Sequence, residues 1–277
     1  MNSDGSPNLP ECGVEVSVVI LTWNSEKYIT KCLKSLIDDI ENGKFSYEVH
    51  IVDNGSSDGT CAIIDAFRQQ YGNSIKPVYL DRNKGTTYSR NIALRKSQGG
   101  FVFIMDSDVE VFPGTIERLT ASLRENGPAG IIAPKLVYPN GNLQKSTDAF
   151  PTLYTKIYRY FFLKSLEKKE AGMARDECIR EVDYAISAVW ALRDEVVEKV
   201  GLLDEKIFYA PEDVDYCLRV WKAGYKILYN PHITCTHHTQ EISRGFKINK
   251  ATIHHIRGLI YYFWKHKYFL RKPEFSR

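Results

Sequence analysis

Residues 101–108 read Phe-Val-Phe-Ile-Met-Asp-Ser-Asp, and this stretch decides the fold class that the sequence predicts. Five apolar residues in a row are typical of a strand that is buried on both faces of a sheet. The carboxylates Asp106 and Asp108 follow at the strand's end, which is where open α/β sheets bind their ligands. Hard oxygen ligands at such an edge suit Mg²⁺ or Mn²⁺. A plain turn is the alternative, because Asp and Ser are favoured in turns.

The chain on both sides of this stretch alternates between short apolar runs and helical patterns. In the first half, apolar runs predict strands at 16–22, 48–52, 76–80 and 101–105, and apolar residues at helical spacing predict helices at 29–40, 63–67 and 87–97. Strand and helix in alternation predict a mainly parallel sheet with helices on both faces. The second half is less regular, with strands predicted at 131–138, 182–192 and 227–229 and helices at 152–169, 194–200, 211–223 and 251–265.

Composition excludes several classes of protein. The 277 residues are 43% apolar, enough for a buried core in one large or two small domains, and a net charge of +3 is too small to indicate nucleic acid binding. The six cysteines include no C-x-x-C pair, which favours a reducing compartment. The amino-terminal residues are polar, and no uncharged apolar run approaches the roughly 20 residues needed to span a bilayer. We therefore expect a cytoplasmic protein.

Polar residues follow several predicted strands. Thr22 and Asn24 follow the first strand, Asp53 follows the second, and Arg90 lies at the start of the third helix. With the two aspartates of 101–108 they fit a nucleoside diphosphate, because carboxylate can accept from a base imide, arginine pairs with phosphate and a metal bridges two phosphates. Each has an ordinary alternative, Asp53 as a turn former and Arg90 as a solvated helix residue, so the prediction depends on their joint placement.

The ordered set of motifs resembles the inverting glycosyltransferases of the GT-A fold, family 2, and within them the rhamnosyltransferase-like branch. The matching stretches are 16–24, 51–60, 84–91, 105–108, 201–208 and 212–216. The resemblance implies an α/β, Rossmann-like, mainly parallel sheet flanked by helices, with an acceptor-side portion and a terminal amphipathic helix. It implies a catalytic domain at 14–240, divided into a nucleotide-sugar half (14–125) and an acceptor half (126–240), and a C-terminal aromatic and basic helical extension at 241–277.

The same resemblance implies the residues of the donor and metal sites. Asp106 and Asp108 would serve a Mn²⁺ or Mg²⁺ ion and the sugar diphosphate, with Asp108 as the favoured direct ligand. Register with the family favours His237 over His238 as a further ligand, and two adjacent residues of an extended chain cannot both face the site. Residues expected to contact the substrate are Thr22, Asn24, Asp53, Lys84, Arg90, Asp106 and Trp190.

A zinc site was the alternative for the histidines. It would use Cys235, His237 and the pair His254 and His255, but these residues lack the spacing of known zinc ligands.

Two adjacent acids, Glu212 and Asp213, follow Pro211 at the predicted start of a helix. Inverting transfer needs a base that takes the proton of the acceptor hydroxyl as the bond to the diphosphate breaks, and a carboxylate can do so. Acids at a helix start can also simply complement the helix dipole. Since the second acid of this pair usually acts as base in the family, the resemblance implies Asp213 as base and Glu212 as a positioning residue.

The implied function is metal-dependent, inverting transfer of a single sugar from a UDP- or dTDP-linked donor to a hydroxyl of a glycan or lipid-linked glycan, in cell-surface polysaccharide or related glycan assembly. The Gln-x-x-Arg-Trp motif of processive synthases is missing. Ser187 and Ala188 stand where the branch often has glycine, so the donor sugar stays open. The alternatives are a sugar nucleotidyltransferase, which would have a glycine-rich basic loop at 22–25, and a non-catalytic nucleotide-sugar-binding protein, which would be expected to have lost a carboxylate.

Residues 253–271 interleave aromatic and basic side chains. This pattern fits a membrane interface and an anionic lipid-linked acceptor. The alternative is a helix that packs its apolar stripe on the domain. We therefore expect a possible peripheral association with the inner face of the membrane through this segment.

Overall fold

The computed structural model describes residues 13–155, 178–239 and 250–275 of the chain. Within these ranges the elements, in chain order, are β1 (Val16–Thr22), α1 (Ile29–Asn42), β2 (Tyr47–Asp53), α2 (Thr60–Tyr71), β3 (Ile75–Tyr79), α3 (Thr86–Leu94), β4 (Phe101–Asp106), β5 (Val109–Val111), α4 (Thr115–Glu125), β6 (Ala129–Val137), β7 (Leu143–Gln144), β8 (Thr147–Asp148), β9 (Arg180–Glu181), β10 (Tyr184–Ala185), β11 (Val189–Arg193), α5 (Asp194–Val200), α6 (Glu212–Lys222), β12 (Lys226–His237) and α7 (Lys250–His266).

One sheet runs through both halves of the chain, in the order β3-β2-β1-β4-β11-β6-β12-β5. Strands β3, β2, β1 and β4 are parallel to one another, and β6 is parallel to β12. Strand β11 lies between β4 and β6 and is antiparallel to both. Parallel neighbours require crossover connections, and the helices between these strands supply them. The predicted α/β class and mainly parallel sheet are therefore confirmed.

The register of the sheet brings the predicted polar residues to one edge. Thr22 lies opposite Asp53 on β2, and its neighbour Leu21 lies opposite Asp106 on β4. The central strands are buried on both faces, which explains their nearly continuous apolar sequences. Helix α1 buries the apolar residues whose helical spacing predicted it, among them Leu33, Leu36 and Ile37.

The second half departs from the prediction in its details. The run 182–192 is not one strand, because it is divided among β10, a turn and β11. Strand β12 is longer than predicted and continues past Pro231, with a shift in register between Asn230 and Thr234, since proline cannot donate a ladder hydrogen bond. The predicted helix 152–169 begins at Leu153, and most of it lies outside the described residues.

Helix α7 packs against the domain with one of its faces. Tyr262 and Phe263 are buried in the same core cluster as Trp221 of α6. No helix in the described part of the chain is both long and apolar enough to cross a membrane. The division into domains at 14–240 and 241–277 stays a prediction.

Candidate active site

Asp106, Asp108 and His237 come together at the carboxyl edge of the sheet. One ligand atom from each of the three lies within 4.8 Å of the others. Asp106 ends β4, Asp108 lies in the turn before β5, and β5 pairs with the end of β12 so that His237 is opposite Val109. The distance from His237 Nε2 to Asp108 Oδ1 is 3.2 Å. Two carboxylates and an imidazole in this arrangement can hold a divalent cation.

A buried hydrogen bond orients His237 toward the carboxylates. Its Nδ1 lies 3.0 Å from Oε1 of Gln144, which is an acceptor, so that Nδ1 carries the proton and Nε2 faces the cluster. Metal-binding histidines commonly donate their second ring nitrogen in this way. Burial lowers the pKa of His237, but the Asp108 carboxylate outweighs it and leaves that pKa raised. Gln144 was missed by sequence reasoning, since nothing in the two-residue strand β7 distinguishes it.

The structure also separates His237 from the other histidines. His238 turns away from the cluster, with its Nε2 2.8 Å from Oε1 of Glu110. The residues of the zinc alternative do not converge, because Cys235 is buried in the core and the ring of His254 stacks on Phe208 at 4.2 Å.

Arg90 is a buried link between the two acidic motifs. Its side chain is only 2% exposed, and its guanidinium lies 2.5 Å from Asp106 Oδ1 and 3.5 Å from Glu212 Oε1. Burial raises the pKa of Asp106, and the Arg90 charge opposes that rise. Arg90 was expected to contact the substrate; in the structure its guanidinium faces protein groups instead. The reason is the length of its side chain, which reaches from α3 to the end of β4 beneath the surface.

Ser187 completes this link. Its hydroxyl accepts a hydrogen bond of 2.7 Å from Arg90 Nη1 and donates a longer one, 3.4 Å, to Glu212 Oε1. Ser187 and Ala188 stand where the branch that the sequence resembles often has glycine, and this difference was the signal that could have identified the contact.

The acidic pair begins helix α6 in two different environments. Burial, together with the neighbouring Asp213 charge, raises the pKa of Glu212 to about 8, and Arg90 opposes this shift. Burial thus favours the protonated form of Glu212. Asp213 Oδ1 accepts a hydrogen bond of 2.7 Å from the backbone N–H of Val214, in the first turn of the helix.

The loop before the acidic pair is fixed between two helices. The backbone N–H of Thr86 and the hydroxyl of Thr87, at the start of α3, donate to the carbonyls of Phe208 and Ile207, each at 2.7 Å. On its other side, Gly258 of α7 lies so close that a Cβ atom there would be 2.1 Å from the Ala210 carbonyl oxygen. Both helices thus hold the chain that leads into Glu212.

The predicted nucleotide side lies at the ends of β1 and β2. Thr22 Oγ1 is buried and has no hydrogen-bond partner among the described residues. Asp53, opposite it in the sheet, accepts hydrogen bonds from the N–H and hydroxyl of Ser56. The side chain of Asn24 accepts from the backbone of Ser57 at 2.8 Å and so joins the two loops.

Two further predicted substrate contacts remain. The backbone N–H of Lys84 donates a hydrogen bond of 2.8 Å to Oδ1 of Asn54, the residue after Asp53. Lys84 is near the surface, with its amino group 3.3 Å from Asp81. Trp190 was predicted to contact the substrate, and this was wrong: its side chain is fully buried, donates from its indole N–H to the Ala185 carbonyl and stacks on Tyr216. The physical reason is the position of β11 in the middle of the sheet, where helix α6 covers this side chain.

Solved structures with the same architecture identify the class of protein. The chain superposes on TarS of Staphylococcus aureus in complex with UDP with a TM-score of 0.60, at 23% identity over 80% of this chain and 60% of that one. It superposes on GalNAc-T7 with UDP, GalNAc and Mn²⁺ with a TM-score of 0.67, at 17% identity over 92% of this chain and 50% of that one. The protein has the GT-A glycosyltransferase fold.

The sequence then gives the family. Residues 17–200 match the model of Glycosyl transferase family 2, and the chain belongs to that family. It is 26% identical to the N-acetylglucosaminyl-diphospho-decaprenol L-rhamnosyltransferase of Mycobacterium tuberculosis, over 92% of this chain and 86% of the relative. It is 32% identical to the poly(ribitol-phosphate) beta-N-acetylglucosaminyltransferase TarS, over 71% of this chain but only 35% of the relative. The protein is a glycosyltransferase, as its motifs predicted.

Proposed function

We propose that the protein transfers a single sugar, with inversion, from a nucleoside-diphosphate sugar to a hydroxyl of a glycan or lipid-linked glycan, and that the reaction requires a divalent cation. The observation that carries this proposal is the continuous arrangement of Asp106, Asp108 and His237 with the Glu212-Asp213 pair, joined through the buried Arg90. The Arg90 contacts bring the proposed metal ligands close to the acidic pair, so that donor chemistry and acceptor chemistry can take place at one site.

The metal ligands proposed are Asp108, Asp106 and His237. A divalent ion held there would neutralise the departing nucleoside diphosphate. The imidazole favours Mn²⁺ over Mg²⁺, because Mg²⁺ prefers an all-oxygen set. Gln144 holds the histidine in the orientation that ligation needs, with Nε2 toward the carboxylates.

The donor is proposed to be a pyrimidine nucleotide sugar, UDP- or dTDP-linked. The buried hydroxyl of Thr22, which lacks a partner, and the carboxylate of Asp53 lie side by side at the end of the sheet. A carboxylate there can accept the imide N–H that uracil and thymine share. The TarS complexes with UDP and UDP-GlcNAc support a donor of this class. Asn24 and Lys84 would contribute to the same donor site, because both lie in loops at this end of the sheet.

The base is proposed to be Asp213. It would take the proton of the acceptor hydroxyl while that oxygen forms its bond to the anomeric carbon and the bond to the diphosphate breaks. Glu212 is proposed as a positioning residue, since burial raises its pKa and it contacts Arg90 and Ser187 rather than open solvent.

The acceptor is proposed to be a lipid-linked or polymeric glycan. The names of two relatives support this, one acting on a diphospho-decaprenol-linked sugar and the other on a poly(ribitol-phosphate). An acceptor of the first kind carries a long hydrocarbon chain and would be reached at a membrane surface. The two alternatives, a nucleotidyltransferase and a non-catalytic binding protein, are less well supported because all four acids are retained and converge on one edge.

The test is to incubate the protein with Mn²⁺, a panel of nucleotide sugars and polyprenyl-diphospho-N-acetylglucosamine, and to identify the products by mass spectrometry. We expect a product larger by one sugar together with UDP or dTDP, and neither in the presence of EDTA. A parallel reaction with UTP or dTTP and a sugar 1-phosphate covers the other enzyme class, and release of pyrophosphate there would instead indicate a nucleotidyltransferase. Donor binding with no turnover of any acceptor tried would favour the non-catalytic alternative.

A further inference from the structure

The face of helix α7 that points away from the domain is apolar. Ile256, Ile260 and Trp264 are 55%, 66% and 69% exposed, and Ile253 is 41% exposed. Their spacing of three and four residues places them in one stripe along the helix. The opposite face already packs on the core through Tyr262 and Phe263, so this stripe is additional to the packing that holds the helix.

The stripe continues beyond the end of the helix. Phe269 and Leu270 are exposed, and the carbonyl of Phe269 accepts a hydrogen bond of 2.8 Å from the backbone of Leu153. Leu153 and its neighbour Tyr154 are exposed as well and border the same surface. Exposed apolar side chains therefore lie along α7, after its end and at the segment joined to Phe269, and a group of this kind indicates an interaction surface.

Basic side chains accompany these apolar ones. Arg257, Lys267 and Arg271 are exposed beside the stripe. Between residues 250 and 275 the sequence has six Lys and Arg residues and a single acid, Glu274. An apolar stripe with tryptophan and flanking bases matches the region where acyl chains meet anionic headgroups.

We propose that this surface docks on an anionic membrane, with α7 lying in the plane of the interface. The surface, called here the outer face of α7, comprises Ile253, Ile256, Ile260, Trp264, Phe269, Leu270, Arg257, Lys267 and Arg271. A second copy of the chain is a poorer occupant, because a twofold contact would place the same bases against one another.

Docking would bring the proposed acceptor side of the site, around Glu212 and Asp213, close to the lipid. Gly258, on the same helix, packs directly on Ala210, two residues before Glu212. The helix that would lie on the membrane therefore also supports the loop that carries the acidic pair. The inference rests on the proposed function, because docking would give the site access to a lipid-linked acceptor.

The test is co-sedimentation with vesicles, either of phosphatidylcholine alone or with roughly one-third phosphatidylglycerol. We expect preferential binding to the anionic vesicles. The double variant Ile260→Ser, Trp264→Ser should bind at least about tenfold more weakly, because burial of a single large apolar side chain is already worth about that factor. Reversal of charge in Arg257→Glu, Lys267→Glu should weaken binding to anionic vesicles and leave binding to neutral ones unchanged.

Matched controls change similar residues outside this surface. Phe112→Ser removes another exposed aromatic side chain, and Lys34→Glu reverses an exposed charge on α1. Both should bind vesicles as the wild type does. Equal binding to neutral and anionic vesicles, or wild-type binding by both double variants, would overturn the inference.

Two further measurements separate membrane docking from dimerisation through the same surface and from failure of the proposed function. Sedimentation velocity would overturn it if the wild type is a dimer that Ile260→Ser, Trp264→Ser dissociates, since the occupant would then be a second copy. Thermal stabilisation by UDP and Mn²⁺ is measured on the same proteins. If the wild type does not bind vesicles but is stabilised by UDP and Mn²⁺, docking alone fails, whereas vesicle binding by the wild type without any nucleotide effect tells against the proposed function.

Discussion

At the scale of single residues, the site depends on charges that are buried together. The guanidinium of Arg90 touches one acid of each motif, and His237 is oriented by Gln144 and faces Asp108. Removing one member of such a group leaves another buried charge without its partner. Substitutions here must therefore be judged by folding as well as by activity.

Replacement of Asp108 should remove the metal. We expect Asp108→Ala to lower transfer by at least about a hundredfold, because metal stabilisation of a leaving group is worth several kcal/mol. Mn²⁺-dependent binding of the nucleotide should be lost as well. Glu110→Ala is the matched control, since that carboxylate faces His238 outside the cluster. Near wild-type turnover by Asp108→Ala would show that the residue has been wrongly assigned.

Replacement of Asp213 should affect the chemical step alone. Asp213→Asn keeps the hydrogen bond from Val214 but cannot accept the acceptor's proton, so kcat should fall by about 10²–10⁴-fold. The Kd of the nucleotide measured by calorimetry should change little. If the nucleotide Kd rises while kcat is retained, Asp213 belongs to the donor site and is not the base.

The pH dependence of the free energy of unfolding reports the ionisation of Glu212. Its pKa is raised from 4.5 to about 8 in the folded protein, so the stability associated with its protonated form is present below about pH 4.5 and is lost as pH rises toward 8. Gln cannot ionise, so the free energy of unfolding of Glu212→Gln should rise relative to that of the wild type by up to about 1.4 kcal/mol per pH unit across that range. Urea unfolding at several pH values, without metal, measures this difference.

The exposed position Glu198 on α5 provides the control for that series. Glu198→Gln should follow the wild type at every pH. Parallel curves for Glu212→Gln and the wild type would mean that Glu212 is ionised in the folded state, and its assignment as a protonated positioning residue would fail.

At the scale of elements, the sequence predicts best where one element repeats a simple pattern. Strands β1, β2 and β4 were found within one residue of their predicted bounds, because strands buried on both faces need apolar residues throughout. Strand β5 could not be predicted, since three residues are too few to establish a period. Without β5 the sequence could not show how the end of β12 brings His237 beside Asp108.

The same limit applies to the direction of side chains in the site. The motif residues Asp106, Asp108 and His237 converge as expected because they end strands of one sheet. Trp190 and Arg90 lie near the site as well, but the direction of their side chains depends on packing against residues distant in the sequence. The local sequence pattern does not predict that packing. Only the full structure shows that both side chains are buried.

The contact between α7 and the loop before α6 gives a prediction at this scale. At Gly258 a methyl group would lie 2.1 Å from the Ala210 carbonyl oxygen, and overpacking of this kind costs about 1–3 kcal/mol. Gly258→Ala should therefore destabilise the protein, although alanine favours helix, and should lower kcat by displacing the acidic pair. Gly127→Ala is the control, because its Cβ would meet nothing within 4 Å. Equal stability of the two variants in urea would contradict this view of the contact.

At the scale of the whole molecule, one sheet carries the residues proposed to bind the donor and the metal, and the last described helix packs on the loop before the proposed base. Helix α7 is joined to α6 by a buried cluster in which Lys265 and His266 both contact Asp215, at 2.7 and 2.8 Å. The terminal helix therefore packs on the domain that carries the candidate site. Its sequence left packing and membrane contact as alternatives; the buried face of α7 packs on the domain, and membrane contact is the proposal made above for its exposed face.

The central claim is that Asp106, Asp108 and His237 hold a metal ion that binds a pyrimidine nucleoside diphosphate. Thermal unfolding with UDP, thymidine diphosphate or GDP, each with Mn²⁺ or with EDTA, tests it most directly, because a ligand that binds only the folded state raises the Tm. We predict that a pyrimidine nucleotide raises the Tm only with Mn²⁺, and that Asp108→Ala abolishes the shift. A shift that persists in EDTA or in Asp108→Ala, or a preference for GDP, would contradict the account.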